Sequence, residues 1–321
     1  MTKHFARVSV LVLLLAFLAA CGSKPAAEII LPTATPEPTD IPKLMPGEIT
    51  SAERTLEDAD SSIKAEENRA LTGDAFVNNL FERPFTSQEM VYQPDLNILN
   101  ISISSDENFF YFILTLDDVD TASGLLNGTY GIEFDRTQTG RGDLLVWTSQ
   151  ISSEWSTEGI TVYANPSGTV GGLDPITAEE NYPGKGYTET IEMQGDKVAW
   201  ARLSPDDPNA VQIAVSRALL GNPEEFLWGA WADGGVKDPS LFDYGDHFSS
   251  SEAGSPLNTS EDYPLQALAS LDNTCRLPYG IDQMSSMIPG MCITSQPGLD
   301  CVCTYWVIFG STKACALWDC D

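Results

Sequence analysis

The stretch from Asp135 to Asp143, Asp-Arg-Thr-Gln-Thr-Gly-Arg-Gly-Asp, carries oxygen-bearing side chains at alternate positions and a glycine where a sharp bend would fall. Calcium takes oxygen donors gathered by a tight turn, and glycine adopts such a turn without steric cost. Asp135, Thr137, Thr139 and Asp143 are therefore the candidate metal ligands, with Ca2+ as the candidate cofactor. The match to a full calcium loop is incomplete. Threonine hydroxyls are neutral donors, and the twelfth position, where a bidentate Glu would close the shell, is Val146. The same residues suit a hairpin turn in which Asp135 and Asp143 accept backbone N–H groups. Arg141-Gly142-Asp143 also spells an adhesion tripeptide, but that use needs a protruding loop, and Asp143 ties this one to a strand end.

A second set of residues could bind a ligand by shape. Trp147, Trp155, Trp228 and Trp231 lie on or beside strand-like segments, and flat indole faces suit the apolar faces of sugar rings. On one strand Trp228 and Trp231 point to opposite sides, so at most one can serve a given surface. The competing reading places the tryptophans in a core. Exposure of two coplanar rings favours carbohydrate; burial of all four favours a scaffold.

Catalytic motifs do not emerge. The chain has no GxSxG elbow, P-loop or HExxH. A Ser-His-Asp set would have to use His247, in the surface-like stretch "GDHFSSS". Carboxylate-pair glycosidase chemistry stays open, because 46 Asp and Glu residues offer many pairs of unknown separation. The expectation is a non-catalytic binding module, most simply for carbohydrate. The alternative is a structural or protein-interaction component with no small ligand.

The amino-terminal end indicates where the chain works. Lys3, His4 and Arg7 precede a nearly unbroken apolar run from Val8 to Leu18, the layout of a secretory signal. It ends in Leu18-Ala19-Ala20-Cys21, which resembles the lipobox of bacterial lipoproteins. The resemblance implies cleavage before Cys21 and acylation of its thiol, hence a chain held to the outside of a bilayer in the bacterial cell envelope. Each buried methylene adds about 0.8 kcal/mol, so several acyl chains anchor firmly. The Pro- and Thr-rich residues 21–49 cannot build a core and read as an extended, disordered tether.

Charge narrows the partners. Residues 1–20 contain two basic residues and no acids, so the remaining chain has 15 Lys and Arg against 46 Asp and Glu, a formal charge of −31. Such a surface repels nucleic acid and anionic lipid.

The elements that must position these residues are mostly strands. Residues 50–73 read as a helix, with Thr50 and Glu53 as a capping box and Leu56, Ile63 and Leu71 as a thin apolar seam. Within residues 74–265, β-rich runs recur at 96–104, 108–116, 129–135, 143–151, 159–165, 187–195, 197–204, 210–217 and 226–233, divided by Gly, Pro, Asn and Asp. That spacing indicates an antiparallel β-sandwich.

Residues 270–321 hold Cys275, Cys292, Cys301, Cys303, Cys315 and Cys320. An even set in an exported chain reads as a disulfide module, and the lack of a nearby His weakens the zinc alternative. If Ser311 and Thr312 form a two-residue loop, Cys303 faces Cys320 in a terminal hairpin, leaving Cys315 to pair with Cys275, Cys292 or Cys301. The fold class expected is thus mainly β: a sandwich preceded by one helix and a tether, and followed by a small disulfide-rich hairpin module.

The segments "YQPDLNILNISISSDENFFYFILTL", "YGIEFDRTQTGRGDLLV" and "FLWGAWADGG" resemble the DOMON-like, family-9-carbohydrate-module-like β-sandwiches. The resemblance implies the sandwich fold over about 90–240 and a small ligand such as a sugar. Haem, another ligand of such modules, needs axial Met or His, and His247 is the one histidine after the signal.

The lipobox generates a direct test. Cys21→Ser is expected to move the protein from the membrane to the soluble fraction; detergent-dependent fractionation of that variant would refute the anchor.

Overall fold

The computed structural model describes residues 44–71, 74, 79–119, 126, 128–166, 168, 170, 186–234, 238–242, 247–254, 264–281, 288, 290–292 and, as backbone, 301–309 and 312–320. Cys21 and most of the expected tether lie outside the described residues.

Two antiparallel sheets form a sandwich. The first takes strands β1 (Arg54–Glu57), β3 (Ile98–Ser105), β4 (Phe109–Leu116), β9 (Ala199–Leu203) and β10 (Ala210–Ser216) in the order β1-β3-β4-β10-β9. The second takes β2 (Glu82–Arg83), β5 (Thr129–Asp135), β6 (Leu144–Thr148), β7 (Ile160–Ala164), β8 (Glu189–Ile191), β11 (Phe226–Asp233) and β12 (Leu271–Asn273) in the order β2-β12-β11-β5-β6-β7-β8. Strand β13 (Leu277–Tyr279) also pairs with β11.

Alternation along each strand builds the core. Ile101, Ile103, Phe110, Phe112 and Leu114 of the first sheet meet Ile132, Phe134, Val146 and Trp228 of the second. Phe112 sets its ring edge-on to Trp228 at 4.9 Å and to Phe134 at 5.4 Å, an arrangement that adds to area burial.

The outer faces are covered too. On the second sheet, Leu145, Trp147, Tyr187 and Trp231 pack with Phe242 and Ala253. On the first, Phe109, Tyr111, Trp200 and Ala214 pack with Leu44 and Ile49. Trp200 Nε1 donates to the Leu44 carbonyl at 2.9 Å and the Gly47 N–H donates to Tyr111 Oη at 2.9 Å. Residues 44–49, read from composition as tether, are therefore docked on the sheet. The apolar Leu44 and Ile49 explain why.

Of the helix expected over 50–73, the described residues 50–71 form none of the α-helical turns. Residues 54–57 instead add strand β1 to the open edge of β3, with Leu56 opposite Ile101. A 3-10 helix follows over Ser61–Glu67, capped by the Asp60 side chain, which accepts from the Ser62 N–H at 2.9 Å. The Thr50–Glu53 capping box gives way to a bond from Ser105 Oγ to the Glu53 carboxylate at 2.8 Å. The physical reason lies in the seam. Three apolar residues a full two turns apart bury little, and Ile63 ends 67% exposed, whereas an unpaired strand edge offers a whole ladder of main-chain bonds.

The sandwich also runs past 265. Strands β12 and β13, from the span assigned to the cysteine module, belong to the second sheet. There Cys275 and Cys292 are joined by a disulfide.

Strands β14 (Cys301–Phe309) and β15 (Thr312–Cys320) form the terminal hairpin, as expected, but in another register. Phe309 pairs with Thr312, so the residues between the strands are Gly310 and Ser311, and two irregularities between Cys303 and Trp306 preserve the offset. Cys320 consequently lies opposite Cys301, not Cys303. With Cys275 and Cys292 already joined, neither is left for Cys315.

Non-reducing peptide mapping is expected to yield a Cys301–Cys320 linked peptide beside Cys275–Cys292. A Cys303–Cys320 peptide would restore the two-residue Ser311-Thr312 loop.

Candidate functional site

The residues from Asp135 to Asp143 connect β5 to β6, and their oxygens are already engaged. Asp135 is fully buried. Its Oδ1 accepts from Thr137 Oγ1 at 3.0 Å and the Thr139 N–H at 3.2 Å, and its Oδ2 from the Gly140 N–H at 2.6 Å. Asp143 accepts from the Arg136 N–H and Nε, each at 2.6 Å. Burial pushes the Asp143 carboxyl above its ordinary range, and Arg136 beside it only partly offsets this. Gly140 takes φ of +80° and Gln138 +56°, the left-handed geometry of a compact turn. A guanidinium inside the loop opposes a dication. At the four expected calcium ligands, Asp135, Thr137, Thr139 and Asp143, the structure thus shows the internal hydrogen bonding of a compact turn. The adhesion tripeptide is not presented on a protruding loop: Gly142 is buried, and a Cβ there would collide with Tyr187 Oη.

The four tryptophans do not form a platform. Trp228 is fully buried between the sheets and Trp231 is 1% exposed on the other face of β11. The opposite-face expectation holds, but both faces are covered. Trp147 lies edge-on to Phe242 at 5.1 Å, and Trp231 approaches the same ring at 4.7 Å. Gly131 makes room for Trp147, since a Cβ there would collide with the indole. Trp155 alone is half-buried. It packs beside Trp200, and the Arg202 guanidinium lies 4.4 Å from its ring centroid.

A constellation that sequence reasoning missed lies at one margin of the sandwich. Asp58 follows β1, the edge of the first sheet; Glu82 sits in β2, the edge of the second; Asp272 sits in the adjacent β12. One carboxylate oxygen of each lies within 4.8 Å of the other two. Glu82 is 8% exposed and Asp272 fully buried.

Other groups fix the three in place. The Asp58 N–H donates to the Leu99 carbonyl at 3.0 Å. Asp272 Oδ2 accepts from the Ile98 N–H at 2.7 Å, crossing from one sheet to the other. The Glu82 N–H donates to Asp74 Oδ1 at 2.6 Å. Yet Asp58 Oδ2, Glu82 Oε2 and Asp272 Oδ1 are buried without a hydrogen-bond partner. The neighbouring cation, Arg83, is engaged elsewhere through two of its nitrogens: its Nε pairs with Asp74, and its Nη1 donates to the carbonyls of Ala253 and Leu268, while its Nη2 is buried without a partner.

Three such charges repel strongly. Carboxylate oxygens within 4.8 Å at an effective dielectric of about 20 cost roughly 3 kcal/mol per pair. Burial pushes the Asp58 carboxyl up to about 7. Burial, then the Asp272, Asp58 and Asp74 carboxylates, raise Glu82 well above its ordinary value. Burial and the Asp58 carboxylate do the same to Asp272, against the N–H groups of Ile98 and Asn273. In sequence these acids are 24 and 190 residues apart among 46. The one usable signal is that Glu82 and Asp272 each interrupt an apolar run, "LFERPF" and "LASLDNTCRL".

No family model matches the chain, and no curated protein or solved structure matches it either. The similarity to DOMON-like sandwiches rests on the sequence motifs alone.

The turn can be tested by removing its anchor. Asp135→Ala orphans two N–H donors and a hydroxyl, and is expected to cost about 2–4 kcal/mol by denaturant unfolding. The loss is expected to be the same in chelator and in millimolar calcium; a loss of any calcium response would reinstate the loop as a cation site.

Proposed function

We propose that this chain is a lipid-anchored module outside the cytoplasm that works without catalysis, as a structural or protein-interaction component of a bacterial cell envelope. The observation that supports this reading is the burial of Trp147, Trp228 and Trp231 in the packed layers on either side of the second sheet. Indoles that fill a core cannot stack on a sugar. Trp155, the remaining member, shares its ring with Arg202.

The amino-terminal residues and the charge agree with that reading. A lipobox ending at Cys21 and a Pro- and Thr-rich segment provide an anchor and a spacer. The formal charge of −31 after residue 20 keeps such a module off nucleic acid and off anionic lipid surfaces. Its contacts then run through the sandwich surface and the terminal hairpin.

Soluble full-length Cys21→Ser protein provides the material for a test. A glycan array is expected to show no saturable binding, and Trp155→Ala to change nothing. Glycan binding that Trp155→Ala abolishes would replace the scaffold reading with a carbohydrate module.

A further inference from the structure

We propose that Asp58, Glu82 and Asp272 form a calcium site that joins the edges of the two sheets. Acidic residues alone would not justify this, since exposed ones cluster commonly. Here Glu82 and Asp272 are more than nine-tenths buried and Asp58 is half-buried, and each carries a buried oxygen without a hydrogen-bond partner: Asp58 Oδ2, Glu82 Oε2 and Asp272 Oδ1. Buried polar atoms are almost always satisfied in folded proteins, and three orphans of one charge type within one group point to a cation.

The donor set selects the class of ion. Opposite oxygens on a calcium shell are about 4.6–5.2 Å apart, twice the usual Ca–O distance. Ligand atoms that all lie within 4.8 Å of one another are within the span of such a shell. Calcium takes several carboxylates at once in flexible geometry, whereas magnesium gives up its waters reluctantly and takes few protein carboxylates. Soft or borderline metals prefer sulfur and imidazole, which this oxygen-only set does not offer. The hydrogen bonds that remain on the ligands do not compete. The Ile98 N–H holds the second oxygen of Asp272, which fixes the carboxylate with its free oxygen in the group.

The position determines the consequence. Asp58 ends the short strand β1, which holds to the sandwich through four paired residues opposite β3. Strand β2 holds to β12 through two. These are the least-paired margins of their sheets. An ion shared by Asp58, Glu82 and Asp272 links both margins at once and offsets the mutual repulsion of the three carboxylates. Occupancy therefore stabilises the first strand of the fold together with the edge of the second sheet.

Calorimetry on the full chain tests the assignment. Calcium is expected to bind one ion per chain and raise the melting temperature, with magnesium at least tenfold weaker. Glu82→Gln and Asp272→Asn should weaken calcium binding tenfold or more. In chelator, however, Glu82→Gln should melt no lower than wild type, because it removes a like charge without removing a hydrogen-bonded acceptor.

That crossing of signs is the signature of a cation shell. Absence of a calcium response, equal potency of magnesium, an undiminished response in both variants, or a lower melting point of Glu82→Gln in chelator would each overturn it. Should the variants not fold, wild-type crystals soaked with terbium decide. An anomalous peak among the three carboxylates supports the site, and its absence there overturns it.

Discussion

One buried ion pair ties together most of what surrounds the central strand of the second sheet. Glu133 on β5 and Arg276 after β12 are 2% and 4% exposed and meet through Arg276 Nη2 at 2.8 Å and Nε at 3.1 Å. Burial would lower the Arg276 pKa, but Glu133, Tyr187 and Asp135 together outweigh it and raise it instead. The pair is fully engaged. Tyr187 Oη donates to Glu133 Oε1 at 2.7 Å, and Arg276 Nη1 donates to the Gly140 carbonyl at 2.8 Å. Removing one member of such a pair leaves an uncompensated charge inside and costs about 3–5 kcal/mol. The turn from Asp135 to Asp143, the segment at Tyr187 and the disulfide-closed loop after Cys275 thus share one anchor. Main-chain bonds between Arg276, Gly290 and Cys292 complete it, and the Cys275–Cys292 bond limits how far Arg276 can leave.

Covering both sheets on both faces explains the absence of an aromatic surface where the tryptophans stand. A two-layer sandwich leaves its outer faces to water, and alternation then puts every second residue outside. In this chain the alternation is suppressed: β5, β6, β10 and β11 are buried at every position. Leu241, Phe242, Phe248, Ala253 and Leu268 supply an outer layer on one sheet, and Leu44, Ile49 and Trp155 supply one on the other. Trp231 and Trp147 become core residues of that outer layer.

Much of the fold was legible because strand signals are local. Each β-rich run from Leu96 to Asp233 matches an observed strand within a few residues, since β-branched and aromatic runs between turn residues carry their own periodicity. Residues 50–71 misled for the complementary reason. Glu, Ala and Lys favour helix locally, but the open edge of β3 overrode a propensity worth only tenths of a kcal/mol per residue. The hairpin was read correctly as an element and incorrectly in register, because bulges cannot be seen in a sequence. The turn at Asp135 was visible in its residue types, whereas the part played by Arg136, a bidentate clasp on Asp143, was not. The Asp58, Glu82 and Asp272 group was invisible, since it exists only after β1, β2 and β12 reach one margin of the sandwich.

The charge balance of the chain bears on that group in a way no single contact does. With 17 basic residues against 46 acidic ones, the chain cannot give every interior carboxylate a cation of its own. Where it does, the pairings are explicit: Glu133 with Arg276, Asp74 with Arg83, Asp143 with Arg136. Where it does not, neutral donors take over, as the Thr137 hydroxyl and the Thr139 and Gly140 N–H groups around Asp135 show. Asp58, Glu82 and Asp272 share neither solution for one buried oxygen each. Compensation must then come from the medium, as protons or as a metal ion. Calcium sites of about 10⁻⁴–10⁻³ M affinity, the range of extracellular modules, stay loaded wherever the medium holds millimolar calcium. An acid-rich chain can bring like-charged carboxylates together at its sheet margins and still fold, because its surroundings complete the charge balance.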